Sequence, residues 1–376
     1  MKFKMNNGYV ETNGLPLGKG ANFETYRGKL YNSTFEEGKS VILKIYAPNG
    51  FETEEIVKDE VIIGKRLLAS QLVSDGFINK FQRTVDKLND LKSLEEFSKI
   101  KDCIVDLYDI DAALIDEDFN EITSESDVKS IYGFRCFSIY YDDNFNHDDC
   151  IGYQEIGNPE DAIEISIEIA EIIKKLHAYG YFHRDIKPSN FLYKPSGAHG
   201  FTVKMLDTDT IIKASDFKKN NPYYSAAYFS PSEVYRGEYY FESDLFMLAA
   251  AFLNLLIGKS FYDIKTLSNN AFDFGAINIA SLSIAELEEI TKAHGFSKGF
   301  ILKLNEIINK YLTNRHLSRR KYTVENFISD LQILYEIYTK SKAQPQLLID
   351  GAIAQITEFE YNEMFVASVK TSENEN

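Results

Sequence analysis

The segment from Ser243 to Ile257 constrains this chain more than any other, because it is apolar on nearly every side over the length of a helix. A helix without a polar face has to be buried all round, so other elements must surround it. Gly258, which follows directly, is a residue that commonly ends helices. We therefore expect this helix to lie at the centre of a core built from further helices.

A second helix is well specified upstream of it. Asn158 is a good N-cap, Pro159 fits the first helical position, and the two acids that follow favour the positive end of the helix dipole. Gly180 marks the end, and apolar residues recur on one face: Ile165, Ile169, Ile172, Ile173 and Leu176. From about residue 145 to residue 340 the sequence indicates mainly helices.

The first part of the chain has a different pattern. Residues 1–46 indicate short strands separated by glycines, and Ser130–Tyr141 has the composition of a strand. Strands followed by helices predict an α+β fold in which the two are segregated. Between these strands we predict a helix over residues 52–69, with Ile56, Glu60, Ile63 and Leu67 on one face, and one or two surface helices over 77–100.

Charge and composition exclude several functions. With 41 basic and 57 acidic residues the net charge is −16, which disfavours nucleic acid as a partner. We find no run of 18 apolar residues and no signal-like start, so we expect a cytoplasmic protein without membrane contact. The three cysteines show no C-x-x-C spacing, which argues against a disulfide framework or structural zinc. The oligomeric state is left open.

Residues 183–190, His-Arg-Asp-Ile-Lys-Pro-Ser-Asn, resemble the catalytic loop of protein kinases of the eukaryotic-like, or Hanks, Ser/Thr type. The resemblance implies that Asp185 accepts the proton of the attacking hydroxyl and that Lys187 steadies the γ-phosphoryl oxygens. Asn190 would bind Mg²⁺. His183 and Arg184 would support the loop structurally.

Two segments near the N-terminus are similar to the kinase elements that hold ATP. Leu17–Gly28 resembles the glycine-rich loop, with Gly18 and Gly20 over the phosphates and Phe23 at the third glycine position. Val41–Ile45 resembles the strand whose lysine, here Lys44, contacts the α- and β-phosphates. From the predicted helix over 52–69 we choose Glu60 as the carboxylate partner of Lys44. A hinge near 140–143 would receive the adenine, at Tyr140 and Tyr141.

Three later positions complete the resemblance. Asp207 stands where kinases carry the Mg²⁺-binding Asp of Asp-Phe-Gly, although Thr208 and Asp209 replace Phe and Gly, as in some bacterial kinase-like proteins. Glu233 ends a segment similar to Ala-Pro-Glu and would pair with Arg319 or Arg320. Asp244, at the start of the apolar helix, would accept hydrogen bonds from the backbone of the catalytic loop.

The resemblance covers residues 14–338 and implies a two-lobed protein-kinase fold. A small β-rich lobe would span 1–143 with a helical insertion at 70–100, a helical lobe 144–340, and an extension 341–376. The implied reaction transfers the γ-phosphoryl of ATP, with Mg²⁺, to Ser/Thr hydroxyls of a protein substrate. Two alternatives stay open: a pseudokinase that acts as a nucleotide-binding scaffold, and a small-molecule phosphotransferase of the same fold.

Overall fold

The structure is a computed structural model, and it describes part of the chain. The described residues are 1–19, 22–48, 51–67, 75–93, 98–105, 107–122, 131–140, 158–196, 200–206, 208, 210–218, 231–235, 237–257, 284–312 and 322–343. Gly20, Tyr141, Asp207, Arg319, Arg320 and nearly all of the expected extension 341–376 lie outside them.

The first part of the chain forms one sheet of eight strands in the order β5-β6-β1-β2-β3-β4-β8-β7, with a further pairing of β6 to β8. The strands are β1 (Lys2–Met5), β2 (Gly8–Lys19), β3 (Phe23–Tyr31), β4 (Lys39–Tyr46), β5 (Thr53–Lys58), β6 (Val61–Leu67), β7 (Leu107–Ile115) and β8 (Gly133–Tyr140). Strand β4 lies between β3 and β8 and is antiparallel to both.

The helix predicted over residues 52–69 is wrong, because this segment forms the β5–β6 hairpin. Lys58 pairs with Val61, which leaves Asp59 and Glu60 as the turn, at φ values of 50° and 63°. Positive φ at both central residues is typical of a type I′ turn, whose twist matches that of the strands. The apolar residues around the turn are mostly β-branched, and such residues prefer strands.

A helix is present where one was expected within 77–100, and it is a surface helix with an exposed polar face. Helix α1 (Asp75–Ser93) buries Phe77, Phe81 and Leu88 against one face of the sheet. The ring of Phe77 lies 4.9 Å from that of Phe134 on β8. A short 3₁₀ helix, Ser98–Cys103, follows and adds its apolar side chains to the core of the helical part.

The second part is mainly helical, as the sequence predicts. Helix α2 (Pro159–Ala178) begins as expected, with the Asn158 side chain accepting a hydrogen bond from the Glu160 N–H at 3.1 Å. The other helices are α3 (Ser232–Tyr235), α4 (Phe241–Ile257), α5 (Ile284–Thr291), α6 (Lys298–Tyr311) and α7 (Val324–Ala343). From Ser243 onward every residue of α4 is buried, and α4 packs against α2, α6 and α7.

Four short strands complete the second part. Strands β10 (Phe191–Pro195) and β11 (Phe201–Met205) form one antiparallel pair, and β9 (Tyr181–Phe182) and β12 (Ile212–Lys213) form another. The sheet and this region meet in a small apolar cluster of Ile42, Val105, Tyr140 and Leu192. Backbone pairing adds to the junction, since the Val105 N–H donates to the Met205 carbonyl at 2.9 Å. Among the described helices, none is long and apolar enough to cross a membrane.

Candidate active site

The loop that follows β9 brings three polar side chains together. Asp185 is buried, and its carboxylate oxygen Oδ2 lies 2.7 Å from Lys187 Nζ and 2.9 Å from Asn190 Nδ2. The same Asn190 nitrogen donates to the Asp185 carbonyl at 2.7 Å. Asp185 is therefore fixed by a cation and an amide supplied within five residues of chain.

The side chain of Asp244 binds the backbone of this loop. Its carboxylate accepts hydrogen bonds from the backbone N–H groups of His183 and Arg184, at 2.8 and 2.9 Å. This is the contact expected from the sequence. Because Asp244 is fully buried, these bonds replace water around a charge that the interior would otherwise disfavour.

Two further donors to Asp244 were not predicted. They are the Tyr239 hydroxyl and His177 Nε2, the latter at 2.9 Å. Burial alone would raise the pKa of the Asp244 carboxyl, but the hydrogen bonds and charges around it, led by His177, lower that pKa below its usual value. The signal in the sequence was a His in the last turn of α2, too common a feature to single out.

His183 and Arg184, which directly precede Asp185, are both buried. The ring of His183 is completely buried, with its centre 5.7 Å from the ring centre of Phe191. Arg184 has a φ of 73°, unusual for a residue with a side chain, and its guanidinium lies 5.4 Å from the centre of the Phe217 ring. Backbone strain of this kind, typically ~1–3 kcal/mol, persists where surrounding contacts enforce it.

The segment after Asp207 is tied to the same loop. Thr208 and Thr210 are buried, and the Thr210 hydroxyl donates to the His183 carbonyl at 2.6 Å. Just before Asp207, the Leu206 N–H donates to the Asn190 carbonyl at 2.8 Å. Asp207 and Asp209 are outside the described residues, so the Mg²⁺ role expected of Asp207 stays a prediction.

Lys44 lies on the sheet face that looks towards this loop. It is buried on β4, and its neighbour two residues earlier, Ile42, belongs to the cluster with Leu192. The Lys44 ammonium lies 5.2 Å from the centre of the Tyr140 ring. The strand end that was expected to receive adenine thus adjoins the lysine expected to bind phosphates.

Glu60 does not occupy the place predicted for the partner of Lys44. The helix on which that pairing rested does not exist, and Glu60 is exposed in the β5–β6 turn. The spacing of Ile56, Glu60 and Ile63 fits a helical period, but the segment folds as two strands.

The glycine-rich segment forms the β2–β3 hairpin. Gly18 pairs with Thr25, and an added Cβ on Gly18 would meet nothing within 4 Å. Gly20 is outside the described residues. Phe23, at the third glycine position, is a core residue whose ring lies 5.6 Å from that of Tyr46. It anchors the return strand β3 to the sheet.

Glu233 is buried on the short helix α3 and accepts a hydrogen bond from the Ser243 hydroxyl at 3.0 Å. Its expected partners, Arg319 and Arg320, lie outside the described residues. Through Ser243, Glu233 is attached to the start of α4, one residue before Asp244.

Comparison with known proteins agrees with this geometry. Residues 133–328, just over half of the chain, match the protein kinase domain family. The chain belongs to that family. The match contains the catalytic loop, α2 and α4, and it also includes β8.

Similar curated proteins are kinases from plants and bacteria. Calcium-dependent protein kinase 31 of Arabidopsis thaliana is 25% identical over 194 residues, 52% of this chain and 36% of that protein. Probable serine/threonine-protein kinase PknB of Lactococcus lactis is 31% identical over 107 residues, 28% of this chain and 16% of that protein. A probable serine/threonine-protein kinase of Clostridium perfringens is 25% identical over 202 residues, 52% of this chain and 26% of that protein. The aligned parts of this chain thus span 36% or less of these relatives' lengths.

Proposed function

We propose that this chain is a protein kinase that transfers the γ-phosphoryl of ATP to Ser/Thr hydroxyls of a protein substrate. The observation that carries the proposal is the hydrogen-bonded set of Asp185, Lys187 and Asn190 on one buried loop. Asp185 would orient the acceptor hydroxyl and take its proton as the phosphoryl leaves ATP. Lys187, beside it, would stabilise the negative charge of the transferring group.

The donor set fits Mg²⁺ and ATP. Because the Asn190 amide nitrogen faces Asp185, its amide oxygen, a ligand that Mg²⁺ accepts, is directed elsewhere. Asp207 would supply the carboxylate. Magnesium bound there would neutralise charge on the phosphates. Lys44 and Gly18, with Gly20, would contact the phosphates, and Tyr140 and Tyr141 would border the adenine.

We also propose the two-lobed arrangement, with a small lobe over 1–143, a large lobe over 144–340 and an extension over 341–376. The fold supports one change to it. Helix α1 packs on the sheet beside Tyr46 and Phe134, which supports taking α1 as the helix of the small lobe. On this proposal the inserted element would be the β5–β6 hairpin in place of the segment 70–100. The protein substrate, the absence of nucleic-acid and membrane partners, and the cytoplasmic location remain predictions from the sequence.

The test is transfer of label from γ-labelled Mg-ATP to generic protein acceptors, followed by identification of the labelled residues. We expect phosphoserine or phosphothreonine with the native chain and none with Asp185→Asn. Parallel reactions would contain an aminoglycoside or choline in place of protein. Label on the small molecules alone would support the phosphotransferase alternative, and nucleotide binding without transfer would support the pseudokinase; either result contradicts the proposal.

A further inference from the structure

A partly buried ion pair joins the β5–β6 hairpin to strand β3, which follows the glycine-rich turn. Lys65 on β6 is 5% exposed, and its Nζ lies 2.6 Å from Glu24 Oε2 on β3. The two residues are 41 positions apart in the chain. Glu24 lies within the glycine-rich segment Leu17–Gly28, but neither residue has a role in the site described above.

Glu24 also reaches across the glycine-rich turn itself. Lys19 and Glu24 are the last paired residues of β2 and β3, and Lys19 Nζ lies 3.1 Å from Glu24 Oε1. The Glu24 carboxylate therefore binds β2 through Lys19 and the β5–β6 hairpin through Lys65. Burial alone would raise the pKa of Glu24, but the two lysines, Lys65 foremost, lower it, so the carboxylate is ionised at neutral pH.

The position of Glu24 connects the pair to nucleotide binding. Its neighbour Thr25 pairs with Lys44 on β4, and Glu24 itself pairs with Ile45. Strand β3 thus follows the glycine-rich turn and pairs with the strand of Lys44, the lysine proposed to bind the phosphates.

A buried ion pair is poor evidence for stability, because an apolar pair of similar size is often as stable. A lysine is almost never buried unless it is paired. Stability alone therefore does not explain why Lys65 and Glu24 pair at this place. Orientation of the glycine-rich turn between β2 and β3 would explain it.

We propose that Lys65 is a positioning residue for nucleotide binding, which through Glu24 fixes the glycine-rich turn relative to Lys44. This inference rests on the proposed function only in taking the ligand to be Mg-ATP. The hairpin would then set nucleotide affinity without touching the nucleotide. A residue in that role should affect the KM for ATP and leave kcat nearly unchanged, because it does not contact the reacting atoms.

The test measures Mg-ATP binding by calorimetry, without a phosphate acceptor, for Lys65→Met, Glu24→Gln and the double variant. We expect each single variant to raise the Kd about tenfold, and the double variant to be no worse than Glu24→Gln alone, since the Lys65–Glu24 contact is lost in all three. Matched controls are Arg66→Met and Glu54→Gln, an exposed ion pair at 3.0 Å in the same hairpin, which should change the Kd less than about twofold.

A second double variant, Glu24→Lys with Lys65→Glu, exchanges the two charges and can form the ion pair again in reverse. Thermal unfolding of every variant shows whether a loss of affinity is only a loss of folding. Recovery of affinity in the exchanged protein relative to Glu24→Lys alone supports positioning. An unchanged Kd in a folded Lys65→Met protein overturns the proposal, as do single effects that add in the double variant. Because no acceptor is present, these results stand whether or not the native chain phosphorylates protein, so failure of the proposed function is seen separately.

Discussion

The catalytic loop and the β5–β6 hairpin are assembled in different ways. Around Asp185, the side chains that meet are supplied within five residues, and the motif is visible in the sequence. Around Lys65, the partner is 41 residues away, and only strand pairing brings the two together. Contacts within a short segment can therefore be predicted from the sequence, whereas contacts between distant strands of the sheet cannot.

The first variant to test is Asp185→Asn. If the local motif carries catalysis, the variant should lose about 10²–10⁴-fold in kcat, because it cannot accept the proton, while its Kd for Mg-ATP changes little. Steady-state rates and calorimetry measure both. Asp118→Asn makes the same change in charge at an exposed turn and should keep the native rate. Full activity in Asp185→Asn would remove the basis of the kinase assignment.

The second prediction concerns the support beneath the loop. Asp244→Asn should lower the free energy of unfolding by about 3 kcal/mol, because an amide cannot replace a buried carboxylate that accepts from His183, Arg184 and His177. Urea denaturation with Asp118→Asn as the control measures the loss. A difference below ~0.5 kcal/mol would show that the loop holds its own shape and that α4 does not determine it.

The third prediction is the acid dependence of the same contact. Because the folded pKa of Asp244 is lowered, its contribution is complete above the unfolded value of about 3.9 and is lost as the pH falls towards the folded pKa. The difference in unfolding free energy between the native chain and Asp244→Asn should shrink as the pH falls below about 4. Asp330, whose pKa is also lowered, is present in both proteins and cancels. A difference that grows below about pH 4 would contradict the assignment.

A smaller effect is expected at Thr210, which joins the segment after Asp207 to the loop that carries Asp185. Thr210→Val keeps the shape and removes the donor to the His183 carbonyl, which should cost about 1 kcal/mol of stability. If the bond also positions the segment after Asp207, the KM for Mg-ATP should rise with it. Thr210→Ser, which keeps the hydroxyl, should restore both. Equal behaviour of the Val and Ser variants would assign the effect to packing.

The smallest effect is expected at Glu60. Because Glu60 is an exposed turn residue, Glu60→Gln should change activity no more than Glu55→Gln, another exposed acid of the hairpin, with stability shifts within about 0.5 kcal/mol for both. Rate assays on the two variants test this. A selective loss in Glu60→Gln would restore the pairing with Lys44 that the fold argues against.

The helical part could be predicted from local signals. Asn158 and Pro159 set the start of α2, and an apolar segment as continuous as α4 has only one place in a folded protein. The predicted contact of Asp244 with the loop backbone followed from the family resemblance and is present in the structure.

The strand part could be predicted less well, for a physical reason. Residues 53–67 satisfy a helical spacing and also a hairpin, and the choice is made by pairing with distant strands: Ile62 beside Phe3, and Lys65 beside Phe134. Gly64 shows the same, because a Cβ there would meet the Phe134 carbonyl at 2.7 Å. None of these neighbours is visible within a local window.

The contact between Asp244 and the catalytic loop also has a consequence for the order in which the protein is made. The N–H groups of His183 and Arg184 are synthesised 61 and 60 residues before the carboxylate that binds them. A ribosome has therefore already produced Lys44, Asp185, Lys187 and Asn190 before this support exists. A nascent chain that ends before Asp244 holds those residues of the predicted chemistry but lacks the carboxylate that binds the loop, so competence for catalysis would require synthesis of α4.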